Sequence, residues 1–91
     1  MESIRDILTR LIQDRILKPR IGQSNTREIR CECMNELREL IKEAQEQYPD
    51  LLHWISGVME ISPFINRELT VIVFYQIKPN LEIEELKITL Q

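Results

Sequence analysis

Ile4, Ile7, Leu8, Leu11 and Ile12 recur at the three- and four-residue spacing that lines one face of a helix. Ser3 stands just ahead as an N-cap, with Asp6 three residues on in the place of a capping-box acid. Ile16 and Leu17 extend the stripe. Pro19 disfavours helical backbone at Lys18, and Gly22, Gln23, Ser24 and Asn25 supply loop chemistry, so the first helix is expected to end near Leu17. A second helix is expected from Thr26 to Gln47, capped by Asn25 or Thr26, with Glu28 three residues after Asn25. Ile29, Cys33, Leu37, Leu40, Ile41 and Ala44 trace its buried face, while Arg30, Glu36, Arg38, Glu39, Lys42, Glu43 and Glu46 form the solvated side. Such a helix is about 33 Å long at 1.5 Å per residue, and Pro49 stops it.

After Pro49 the period changes. Leu51, Leu52, Trp54 and Ile55 fit either a short helical turn or an extended entry, and Gly57 marks a change of state. Val58 to Ile61 is expected as a strand ended by Pro63, followed by a hairpin connection through "PFINREL". Leu69, Val71, Val73, Tyr75 and Ile77 alternate on one face of a longer strand. Ile72 and Phe74 make the middle of its other face apolar, which predicts cover on both sides there. Lys78 to Asn80 is turn chemistry, and Leu86, Ile88 and Leu90 alternate with Lys87, Thr89 and Gln91 in a final strand. The whole reads as one α+β domain over residues 1–91. Two N-terminal helices pack on one face of a mainly antiparallel sheet of three or four strands.

Composition narrows the function. A chain of 91 residues buries a smaller fraction of its surface than a larger domain does, so partner chains have stability to add. Hydrophobic content of 43% with 30% charged residues is that of a folded globular protein. The N-terminus carries Glu2 and Asp6 and no unbroken apolar run, which predicts neither secretion nor membrane insertion but synthesis and residence in the cytoplasm. Net charge is −3, and the basic residues are scattered apart from Lys18 and Arg20, so nucleic acid is not an expected ligand. With only Gly22 and Gly57 as glycines there is no phosphate-cradling loop, and no cofactor or small-molecule substrate is expected.

Three groups could carry chemistry. Cys31 and Cys33 lie two apart on the second helix and point about 200° from each other. They cannot share one tetrahedral metal ion, and no disulfide is expected between them; Cys33 reads as core and Cys31 as flank. His53, beside Trp54, has no motif-placed nucleophile to serve and reads as partly buried or at an interface. Glu82, Glu84 and Glu85 resemble the carboxylates of a peptidoglycan hydrolase only in residue type, and are expected in a charged surface turn. No catalytic or metal-binding residue is assigned.

Ile4, Arg5, Leu8, Arg15, Pro19 and Gly22, together with the two closing strand-like runs from Leu69 to Ile77 and from Ile83 to Leu90, resemble the small baseplate wedge subunits, or sheath initiators, of contractile phage tails and type VI secretion systems. The resemblance implies a non-enzymatic structural subunit that sits in the inner baseplate around the tube and starts the contractile sheath. Its implied partners are wedge proteins, sheath protein and the tube, and its implied place is a virion tail baseplate or a secretion-system baseplate. Sheath strands would add at Leu86, Lys87, Ile88, Thr89 and Leu90, with Ile88 the position that a blocking proline would test. Wedge docking would use Tyr48, Pro49, Asp50 and Trp54, where the family carries Glu-Pro-Arg and this chain keeps only the proline. The residues themselves agree on strand addition, because a final strand whose only strong side-chain charge is Lys87 leaves its edge weakly protected. A free-standing adaptor that pairs this strand with a second copy is the alternative.

Overall fold

The computed structural model describes residues 2–23, 25–61 and 68–90. Helix α1, Ile4–Leu11, is capped by Ser3, whose hydroxyl accepts the Asp6 N–H at 3.1 Å. The winding continues as a π-helical stretch, Ile12–Leu17, and a 3-10 turn, Lys18–Arg20. The α-helical part therefore stops short of Leu17, and Lys18 keeps helical backbone angles despite Pro19. Proline is tolerated there because it opens the 3-10 turn, where an N–H has no partner to lose. The wider π turn returns Ile16 and Leu17 to the buried face that Leu8 and Ile12 occupy. Gly22 has φ +84°, the left-handed region that favours glycine, and turns the chain toward α2.

Helix α2, Thr26–Gln47, starts on Asn25, whose side-chain oxygen accepts the Glu28 N–H at 3.1 Å. Cys33, Leu37, Leu40 and Ala44 are buried, with Ile29 and Ile41 partly buried beside them. Glu36 and Glu43 depart from the solvated face to grip Arg15.

Three strands follow, β1 (Leu52–Ile61), β2 (Leu69–Ile77) and β3 (Ile83–Leu90), as an antiparallel sheet with β2 in the centre. Strand β1 starts six residues earlier than the Val58 expected from the sequence and runs straight through Gly57. Its register slips between Leu52 and Trp54, leaving His53 as a bulge residue, exposed rather than partly buried. The extra residue places Leu52 and Ile55 on the same face three apart, a spacing that imitates a helix and hides the strand. Strand β3 likewise starts early, at Ile83, so Glu84 and Glu85 sit in the ladder and not in a surface turn. Most of the expected hairpin connection, with Pro63, lies outside the described residues.

Both helices pack on one face of the sheet, α2 over β1 and the first helix over β3. Their side chains close one core with Leu52, Ile55, Leu69, Val71, Val73, Tyr75 and Leu86. Gly57 lies under α2, where an added Cβ would stand 3.2 and 3.3 Å from the Leu37 methyls. The middle of β2 is buried on both faces as expected, Val71 and Val73 under the helices and Thr70 and Ile72 on the other side, where no element of the described residues packs.

Candidate functional site

The strand edge is defined by backbone groups, and their direction decides what it can pair with. Along an antiparallel strand, the N–H and C=O of alternate residues face alternate neighbours. The Glu85 carbonyl accepts from Arg5 Nη1 at 3.0 Å, so it faces away from β2. The hydroxyls of Thr70 and Thr89 lie 2.9 Å apart, the close approach typical of a cross-strand pair that does not exchange backbone hydrogen bonds. Both observations give one parity. Glu85, Lys87 and Thr89 turn their backbone groups outward, while Leu86, Ile88 and Leu90 bond to β2. The same alternation carried across β2 turns Ile55, Gly57 and Met59 outward on β1, a second open edge.

Within the expected strand-addition segment, the outward groups are therefore those of Lys87 and Thr89. Leu86 is buried and Ile88 half-buried, so their side chains serve the core. Arg5 covers the next outward carbonyl, that of Glu85. It reaches from α1 across 80 positions of sequence and also donates to the Tyr75 hydroxyl at 3.3 Å. Burial, with Glu84 adding to it, pushes the Tyr75 phenol above its ordinary value, and Arg5 opposes both. This guanidinium ties the first helix to the sheet edge.

The other residues of the N-terminal pattern are structural. Ile4 and Leu8 are core, and Arg15 pairs with Glu43 and with Glu36, the latter at 3.4 Å. Pro19 and Gly22 shape the exposed turn into α2, next to which Arg20 pairs with Glu32 at 3.5 Å. Burial raises the Cys33 thiol, and nearby Arg20 opposes it; Cys31, on the flank, is exposed.

The expected wedge-docking residues do not form one surface. Tyr48 closes α2 and packs against the core; its carbonyl accepts the Leu51 and Leu52 N–H groups at 3.1 and 2.9 Å. Pro49 and Asp50 are exposed on the following turn, which Lys78 holds by donating from Nζ to the Pro49 carbonyl and from its backbone N–H to that of Leu51, each at 2.9 Å. Trp54 projects from the opposite face of the sheet, aligned with Gln76. Sequence reasoning missed a cleft of about 440 Å³ beside this turn, lined by Arg5, Leu51, Tyr75, Ile77, Lys78 and Glu84 among others. It joins residues from both ends of the chain, which no local pattern announces.

Glu84 and Glu85 are adjacent in β3 and point to opposite faces, so they do not face each other as a carboxylate pair. Among the described residues no three His, Cys, Asp or Glu side chains converge as metal ligands, and no helix is long and apolar enough to cross a membrane. Set against known protein families, curated proteins and solved structures, the chain matches none of them.

Proposed function

We propose that this chain is a non-enzymatic structural subunit of the baseplate of a contractile injection machine, of the phage-tail or type VI secretion kind. It docks on wedge proteins and starts the sheath by accepting a sheath strand on its own sheet. The observation that carries the reading is the outward backbone of Lys87 and Thr89 at the end of β3, an edge with no partner strand among the described residues. An added strand gains main-chain hydrogen bonds there and has its register set by alternating side chains. The exposed turn at Pro49 and Asp50, with the cleft beside it, is the surface assigned to wedge proteins.

The test is co-purification with a sheath subunit. Lys87→Pro removes an outward N–H without touching the β2 ladder, and is expected to abolish capture while the urea midpoint stays near that of the parent protein. Undiminished capture by that variant overturns strand addition at β3. A free-standing adaptor pairing β3 with a second copy would use the same groups. It predicts a dimer without any sheath protein that Lys87→Pro converts to monomer.

A further inference from the structure

Arg5 stands where the open edge of β3 meets the first helix. Its exposed side chain leaves α1 on the helix-covered side of the sheet and ends on the outward carbonyl of Glu85, with the Tyr75 hydroxyl also in reach. Both bonds use Nη1, and no other nitrogen of this guanidinium is bonded among the described residues. That leaves Nε–H and the Nη2–H groups, a fork that matches the two oxygens of a carboxylate. Glu2 and Glu84 line the adjoining cleft with Arg5. Glu2, however, is engaged by Arg10, and among the described residues Arg5 forms no ion pair. The contact lies at the end of β3 away from the connection 62–67, and every group in it belongs to a described residue.

An added strand meets two different stretches of this edge. At Thr89 and Lys87 the outward N–H and C=O groups are open, and a residue opposite each can exchange a pair of backbone hydrogen bonds. At Glu85 the carbonyl is taken, and the guanidinium stands where the next N–H donor would lie. Resting on the strand-addition reading, we infer that Arg5 fixes where the added strand stops and selects one that carries an acidic side chain there. Every described pairing in the sheet is antiparallel. An antiparallel newcomer runs from Thr89 towards Glu85, so its C-terminal end meets Arg5. Residues opposite each other across two strands share a face. The residue opposite Leu86, the first beyond the pair made with Lys87, therefore points to the helix side, as buried Leu86 does. That is the side from which Arg5 reaches the edge. An aspartate or glutamate there accepts two N–H bonds from the open fork, and a lysine meets a like charge. The residue opposite Glu85 points the other way, beside the Glu85 carboxylate, so the acid belongs opposite Leu86.

A tethered strand tests this without the natural partner. Appended to the full chain after Gln91 through a Gly-Ser linker of about ten residues, it is held at roughly millimolar effective concentration. It reads Thr-Val-Thr-X-Val, with X glutamate, glutamine or lysine; the first residue is set opposite Thr89, the third opposite Lys87, and X opposite Leu86. Amide exchange read by NMR reports on the outward N–H groups. With glutamate, Lys87 and Thr89 should exchange about fivefold more slowly than with lysine, glutamine falling between, and Glu85 should exchange as in the untethered chain. Arg5→Met keeps the aliphatic stem and removes the guanidinium. In that variant the preference for glutamate should vanish and Glu85 should join the protected groups, while Arg5→Glu should reverse the preference. The comparison of tethers on the parent chain needs no change at Arg5, so it decides even where a variant fails to fold. Protection of Lys87 and Thr89 that is equal for all three tethers, or protection of Glu85 on the parent chain, overturns the role of Arg5 and leaves strand addition standing. No protection with any tether overturns both.

Discussion

Placing proline at two adjacent positions of β3 probes the backbone parity on which the strand-addition reading depends. Ile88 is paired with Val71, and its N–H faces β2. Ile88→Pro deletes that donor and strands the Val71 carbonyl, a loss of about 1–3 kcal/mol, with a further penalty of about 1 kcal/mol for the half-buried isoleucine surface given up. The sum, about 2–4 kcal/mol, is a large share of the roughly 5–14 kcal/mol expected for a chain of this length. Lys87→Pro takes its N–H from the open edge and loses no ladder bond. Its cost is confined to the fixed φ of proline and to the aliphatic stem that covers Ile72, about 1 kcal/mol or less. Urea unfolding followed by Trp54 fluorescence separates the two. With a slope of about 1–2 kcal/mol/M, Ile88→Pro should lower the midpoint by about 1–4 M, and Lys87→Pro by about 1 M at most. Equal midpoints, or Lys87→Pro as the weaker variant, would refute the parity drawn from the Arg5 and Thr70 contacts.

Three further outcomes follow from the packing. Gly57→Val puts two methyls where α2 already presses on β1, and is expected to destabilise by about 1–3 kcal/mol in the same urea assay; an unchanged midpoint would mean that the helix is not held close there. Because the folded Tyr75 phenol titrates above its unfolded value near 10, its contribution to stability is complete below pH 10 and is lost as pH rises through the folded value. Urea midpoints should therefore fall on the alkaline side, and Tyr75→Phe should flatten that part of the fall. With a thiol-reactive chromophore, Cys31 should react at once and buried Cys33 only on unfolding. Two equally fast thiols would contradict the placement of Cys33 in the core.

Local patterns decided most of the elements. Ser3 and Asn25 cap the two helices because a short polar side chain satisfies an N–H three residues on, and the strict alternation from Leu69 to Ile77 reports a strand with one face on a core. These signals involve near neighbours in the chain, so the sequence alone carries them. The bulge at His53 is different in kind, since it exists only relative to the partner strand, and by adding one residue it turned strand spacing into apparent helical spacing. The direction of each backbone group at the β3 edge is also a property of the ladder. The sequence would choose Ile88 as the blocking position, and the fold chooses Lys87. Arg5 meets Glu85, Pro49 meets Lys78, and Trp54 parts company with Tyr48 only when strands distant in sequence find their register. Strand pairing sums contributions from residues far apart along the chain, and no periodicity within one segment encodes it.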